Sequence, residues 1–312
     1  MIKIGLIGAG RWGRNYIKTI EKSTSCSLNV VFSRNSEIKK LITEPCRILS
    51  SSKDFFEEDI HAVIIATPPK SHLEYIAMAV EKKIPLLVEK PLTVSLEEAI
   101  IVGEISKKTS SLMMVDHIHV FSHAFQVLKA NTVKLGRIYE IETFAGNFGP
   151  YRNDVSVLWD WAPHDVSMTL DLLNATASDT EILSYDNYKG YSGTISESLY
   201  IKLNVKKISV KISISNHIQK TRIFRVYCER GIIEYDDMKN EKVRIFACQY
   251  KKAILDGEHQ ICKVSSEPPL DVVINNFVNS VKNKSSSHKS LDMGVEVVRI
   301  ISEIEKFERH YL

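Results

Sequence analysis

Two short stretches hold residues whose types suit proton and hydride chemistry. The first is LLVEKPL at 86–92, an apolar run that ends on Glu89 and Lys90 against Pro91. A strand buried on both faces is nearly continuous Val, Leu and Ile, and open α/β sheets place ligands beyond the carboxyl ends of their strands, which makes Lys90 a candidate working residue. The second is LWDWAPHDVSMTLDLL at 158–173. Proline is tolerated in the first turn of a helix, so Pro163 makes Asp160 the expected cap and puts His164 about one turn above it on the same face. An imidazole suits the removal of a hydroxyl proton while hydride leaves the same carbon, and an adjacent carboxylate can orient it. An ammonium such as Lys90 stabilises the alkoxide that develops. A plain helix cap and a satisfied histidine explain Asp160 and His164 equally well on spacing alone. Asp165 follows directly, but adjacent helical residues point in different directions.

These side chains need elements to carry them. Short apolar runs alternate with amphipathic stretches through the first 120 residues, the pattern of βαβ units and a parallel sheet. Strands are expected at 2–7, 28–32, 62–66, 86–88 and 112–115, with helices opening on capping boxes at Ser71/Glu74 and Ser95/Glu98. The strand IKIGLI runs into GAGRWG and then a helix, which sets Gly8, Gly10 and Gly13 in the GxGxxG spacing around Arg11 and Trp12. In that context the glycines and the helix amino terminus suit a dinucleotide pyrophosphate. An NAD site usually shows a carboxylate at the end of the second strand, whereas here VVFSRN places Ser33 and Arg34, so NADP is expected ahead of NAD. A solvated strand-end charge is the plainer explanation of Arg34.

Composition limits the rest. The chain has 312 residues, 44% hydrophobic, with a formal charge of +3. It has no apolar run of bilayer-crossing length, and no basic block suggests nucleic acid, so neither a membrane nor a nucleic-acid partner is expected. MIKIGLIGAG enters the glycine motif directly, which leaves no room for a signal or transit peptide and makes a cytoplasmic location the default. The cysteines at 26, 46, 228, 248 and 262 show no CxxC spacing and read as free thiols. His117 and His119 in DHIHVFSH would share a strand face with His123 one helical turn farther along, which invites a metal reading, but it is the minor one and no metal is expected.

After about residue 120 the periodicity changes. A short helix near 122–130 precedes strands of period two; KISVKISIS at 207–215 puts Ile208, Val210, Ile212 and Ile214 on one face. Further strands follow in RIFRVYCERGIIEYDD and KVRIFACQY, and helices return at 270–281 and 291–309. The expected architecture is a Rossmann domain over 1–118 and an α+β domain with a mostly antiparallel open sheet over 119–312, the last helix packing back on the first domain.

GAGRWGRN at 8–15, ATPPKSH at 66–72, VEKPL at 88–92 and LWDWAPHDVSMTLDLL at 158–173 together resemble the glucose–fructose oxidoreductase, inositol dehydrogenase and MocA family, and within it the branch acting on nucleotide-linked sugars in bacterial polysaccharide pathways. The resemblance implies that Lys90 is catalytic, that Asp160 and His164 form the family's Asp-x-x-x-His pair, and that Glu89 contacts the cofactor ribose. It implies that Thr67, Pro68 and His72 lie beside the cofactor, that His117 lines the substrate pocket although Asp116 replaces a usual glycine, and that Arg152 meets a substrate phosphate or carboxylate. It also implies a homodimer or homotetramer. The function expected is an NAD(P)-dependent interconversion of a secondary alcohol and a ketone on a sugar. A non-catalytic dinucleotide-sensing regulator and a biliverdin-reductase-like enzyme are the alternatives; the regulator has no need of Lys90 together with His164, and the second fits a carbohydrate hydroxyl poorly.

Overall fold

The structure, a computed structural model, describes residues 1–43, 45–109, 111–149, 151–152, 155–189, 196–247, 258–285 and 287–310. Its contacts divide the chain into two units, Met1–Ile118 with Pro268–Val298 and His119–Glu267 with Arg299–Leu312.

The first unit is built on six parallel strands, β1 (Ile2–Ile7), β2 (Cys26–Phe32), β3 (Arg47–Leu49), β4 (Ala62–Ile65), β5 (Leu86–Glu89) and β6 (Met113–Asp116). Their order is β3-β2-β1-β4-β5-β6, and the reversal between β1 and β4 opens the crevice in which such sheets bind ligands. Every residue of β4, β5 and β6 is buried, because helices cover both faces of a parallel sheet. The strands fall within two residues of the sequence expectation, and β3 is new. Four helices serve this sheet: α1 (Arg11–Ile20), α2 (Ser52–Phe55), α3 (His72–Glu81) and α4 (Leu96–Lys108). The Ser95 hydroxyl caps α4 by accepting from Glu98 N–H at 3.3 Å, with acids in its first turn and lysines in its last to match the helix dipole. The cap expected at Ser71 is not made. A single 3₁₀ turn precedes α3 and turns the hydroxyl back, 2.9 Å from the Pro68 carbonyl.

The second unit opens with α5 (Ile118–Phe121) and α6 (His123–Thr132), followed by β7 (Ile138–Gly146) and α7 (Val157–Leu173). Seven more strands follow, β8 (Thr180–Lys189), β9 (Glu197–Val205), β10 (Ile208–Ser215), β11 (Thr221–Cys228), β12 (Gly231–Asp236), β13 (Val243–Phe246) and β14 (His259–Cys262). The sheet order is β14-β13-β12-β11-β7-β10-β9-β8, antiparallel except where β10 runs parallel to β7. Val210, Ile212 and Ile214 face the core, as their period of two requires. Helix α7 begins earlier than expected. Ser156, not Asp160, caps it by accepting from Trp159 N–H, and Pro163 lies inside the helix. Phe125 of α6 meets Phe224 of β11 edge to face, centroids 5.7 Å apart and both fully buried.

The chain then contributes α8 (Pro269–Lys282) and the first part of α9 (Lys289–His310) to the first unit. The Ser290 hydroxyl bonds both the N–H and the carbonyl of Val115, at 3.0 and 3.1 Å, which satisfies main-chain groups at the free edge of β6. Among the described residues no helix is long and apolar enough to cross a membrane. Cys26, Cys46, Cys228 and Cys262 are free thiols, and Cys248 lies outside the described residues. Phe224→Ala is expected to cost about 3–5 kcal/mol, measured as a fall in the urea midpoint at unchanged m-value.

Candidate active site

The three glycines after β1 have different physical reasons. Gly8 takes φ +94°, and a side chain there would press on the Ala66 carbonyl at 2.7 Å. Gly13 packs its α-carbon against the Gly8 carbonyl, which holds helix on strand. A side chain on Gly10 would meet nothing within 4 Å. Gly10 is the N-cap residue of α1 and brings no capping side chain, so the amide N–H groups of the first turn are available to an anion.

A cavity of about 750 Å³ opens here. Gly8, Gly10 and Arg11 line one side, Thr67 and Pro68 another, and Ser33 with Arg34 a third. The sequence-based site residues of the glycine turn, the β2 end and the β4 end are thus brought together. Arg14, Lys18 and Asn35 also line it and were not singled out from sequence, although Arg11, Arg14 and Lys18 recur at the three- and four-residue steps that share a helix face. Four cations and no carboxylate stand among the described lining residues. Trp12 and Gly13 are not part of the lining. His72 is fully buried, its ring nitrogens 2.9 Å from the Thr67 carbonyl and 3.0 Å from the Leu92 carbonyl, so it ties two loops together and has no nitrogen left for a cofactor.

At the ends of β5 and β6 the first unit buries a cluster of ionisable groups. Glu89 and Asp116 are register partners. Tyr16 donates its hydroxyl to Asp116 Oδ2, and the Lys90 N–H donates to Glu89 Oε2 at 3.1 Å. The Lys90–Pro91 peptide is cis. Burial, with Asp116 adding to it, pushes the Glu89 carboxyl up to about 8, and burial pushes Asp116 up to about 6. Burial first and the Lys90 charge second push the His117 imidazole down to about 3, and neither of its ring nitrogens has a partner among the described residues. A buried polar group in that state calls for a partner from outside the chain.

In the second unit Asp160 and His164 lie one turn apart on α7, as their spacing predicts. Arg152 Nη1 donates to Asp160 Oδ1 at 3.1 Å, and both line a small cavity of about 50 Å³ beside Trp161 and Asn216. The rings of His164 and His119 meet edge to face at 4.9 Å, and His119 Nδ1 lies 3.5 Å from the Tyr235 hydroxyl. His119 and Tyr235 thus join the site, brought in by tertiary packing. Asp165 turns the other way and forms a buried ion pair with Arg222 Nη1 at 3.1 Å, with Arg222 stacked over Trp161. The histidines of DHIHVFSH do not converge on one point: His119 lies against His164 and Tyr235, and His123 pairs with Glu267 at 2.9 Å. Among the described residues no three His, Cys, Asp or Glu side chains are grouped to hold a metal ion.

Residues 2–117 match the family model described as an oxidoreductase family with an NAD-binding Rossmann fold, and the chain belongs to this family, that of glucose–fructose oxidoreductase, inositol dehydrogenase and MocA. A structure from Magnetospirillum magnetotacticum MS-1, provisionally described as an oxidoreductase, is 33% identical with a TM-score of 0.88, over 96% of this chain and 98% of that one. UDP-N-acetylglucosamine 3-dehydrogenase of Acidithiobacillus ferrooxidans is 28% identical over 57% of this chain and 56% of its own, so the chain spans just over half the length of this curated relative. A 3-ketoreductase of Actinomadura kijaniata, in complex with NADP and TDP-benzene, is 14% identical with a TM-score of 0.82 over 98% and 97% of the two chains, and shares the fold. This chain is therefore an oxidoreductase-family member with a dinucleotide-binding Rossmann unit. Gly13→Ala is expected to lower the melting temperature sharply by forcing α1 off β1, whereas Gly10→Ala leaves melting nearly unchanged and weakens NAD(P)H binding by roughly tenfold or more; differential scanning fluorimetry and cofactor fluorescence read the two effects.

Proposed function

We propose that the protein is an NADP-dependent oxidoreductase that interconverts a secondary alcohol and a ketone on a sugar, specifically a nucleotide-linked sugar in bacterial polysaccharide synthesis. The observation that carries the cofactor half is the lining of the 750 Å³ cavity. Arg34 and Ser33 stand where an NAD site keeps its carboxylate, Arg14 and Lys18 add charge, and the space above Gly10 leaves the backbone open to a pyrophosphate. The substrate half is supported by the named activities of the two relatives, a UDP-sugar 3-dehydrogenase and a 3-ketoreductase. NADP favours ketone reduction, and the same residues serve both directions.

Gly8, Gly10, Arg11, Ser33, Arg34, Thr67 and Pro68 would hold the cofactor, which when bound supplies or accepts the hydride. Lys90 stabilises negative charge on the substrate oxygen. His164 takes the hydroxyl proton in oxidation and returns it in reduction, and Asp160 at one-turn spacing orients its ring. His117, with two unpartnered nitrogens, and Arg152 offer polar contacts to the substrate. Glu89 as a ribose contact would share its carboxyl with Asp116 and Tyr16.

Titration with NADPH and NADH, followed by a screen of nucleotide sugars and their keto forms for cofactor turnover, tests this reading; a tenfold preference for NADH or no turnover on any sugar sinks it. Arg34→Ala removes a charge-assisted contact of about 1.5–3 kcal/mol and is expected to raise the NADPH dissociation constant about 10- to 100-fold with NADH binding little changed. Lys90→Met is expected to lower kcat by roughly 100-fold or more while NADPH affinity stays within about threefold.

A further inference from the structure

The ends of β5 and β6 bury two acids beside one lysine. Glu89 and Asp116 are register partners on adjacent parallel strands, which sets their backbones only about 5 Å apart. Glu89 is 7% exposed, Asp116 1% and Tyr16 0%. Two carboxylates that close and away from water resist ionising together, so the pair gives up its protons in two separate steps. The Tyr16 hydroxyl donates to Asp116 Oδ2, and burial raises Glu89 further than Asp116, so Asp116 is the member that keeps the negative charge; among the described residues Asp116 Oδ1 has no hydrogen-bond partner. The titratable groups facing the pair are Tyr16 from α1, Lys90 beyond β5 and His117 beyond β6. His117 is held neutral by burial, so one ammonium faces one carboxylate and one carboxylic acid.

We propose that the Glu89–Asp116 pair, fixed by Tyr16, is a positioning device for Lys90: it holds a single shared proton and keeps one carboxylate beside the ammonium. The role assigned to Lys90 comes from the proposed function, but the shared proton is a property of the cofactor-free protein. Burial, with Asp116 second, pushes the Glu89 carboxyl from its ordinary 4.5 up to about 8. Between those values the folded protein holds a proton that the unfolded chain has released, so stability is complete below the lower value and falls as pH rises through the upper one.

Infrared difference spectra of the cofactor-free protein, taken from about one pH unit below to one above the Glu89 titration, test the shared proton. The expected result is a buried carboxylic-acid carbonyl band at neutral pH that vanishes in alkali. In Asp116→Asn the remaining Glu89 becomes the counter-ion of Lys90, ionises, and the band is absent. Tyr16→Phe deletes one hydroxyl that favours the ionised forms, and so moves the loss of the band to higher pH. A wild-type protein with no such band at neutral pH overturns the proposal, as does a band unmoved in both variants. In turnover the alkaline limb of kcat is lost in Asp116→Asn while KM changes less than about threefold; a kcat profile superimposable on wild type removes the positioning role. A silent sugar screen defeats the proposed function alone, because the spectra need no substrate.

Discussion

A parallel sheet covered by helices on both faces has no dry place for charge except the ends of its strands. That constraint organises the first unit. The strands β4, β5 and β6 are apolar and buried up to their last residues, and the residues proposed for the chemistry sit just past carboxyl ends: Gly8 after β1, Arg34 after β2, Thr67 after β4, Lys90 after β5 and His117 after β6. The reversal of strand order between β1 and β4 then parts the neighbouring loops and leaves a concavity floored by the amino terminus of α1. Fold and cofactor site are consequences of one burial problem.

Much of this was legible in the residues themselves. Period and punctuation located the strands of the first unit because buried parallel strands are short, apolar and sharply bounded by turn residues. The three-residue β3 escaped notice because Arg47–Leu49 is too short to show a period. Ser156 was overlooked as the cap of α7 because Pro163 drew the expected boundary to itself; the helix tolerates the proline within its body instead. The parallel pairing of β10 with β7 was equally hidden, since alternation specifies which face a residue takes and says nothing about strand direction.

The candidate site divides in the same way. Groups in one motif or at one strand end were readable, because the backbone delivers them locally. His119, Tyr235 and Tyr16 come from elements separated by long stretches of sequence, and only packing brings them to His164 and Asp116. His72 shows the reverse: its place in a motif suggested a ligand contact, while its burial between two carbonyls makes it a tie between loops. Asp165, adjacent to His164, is spent on Arg222 for the same geometric reason that neighbouring helical residues diverge.

The contact of Ser290 and Gly294 with Val115 has a further consequence for biogenesis. Gly294 lies so close that a side chain there would sit 2.7 Å from Val115. The rim of the nucleotide-binding half is therefore sealed by a segment translated only after the whole of 119–267, so during synthesis the free edge of β6 stays unpaired until that later segment has been made.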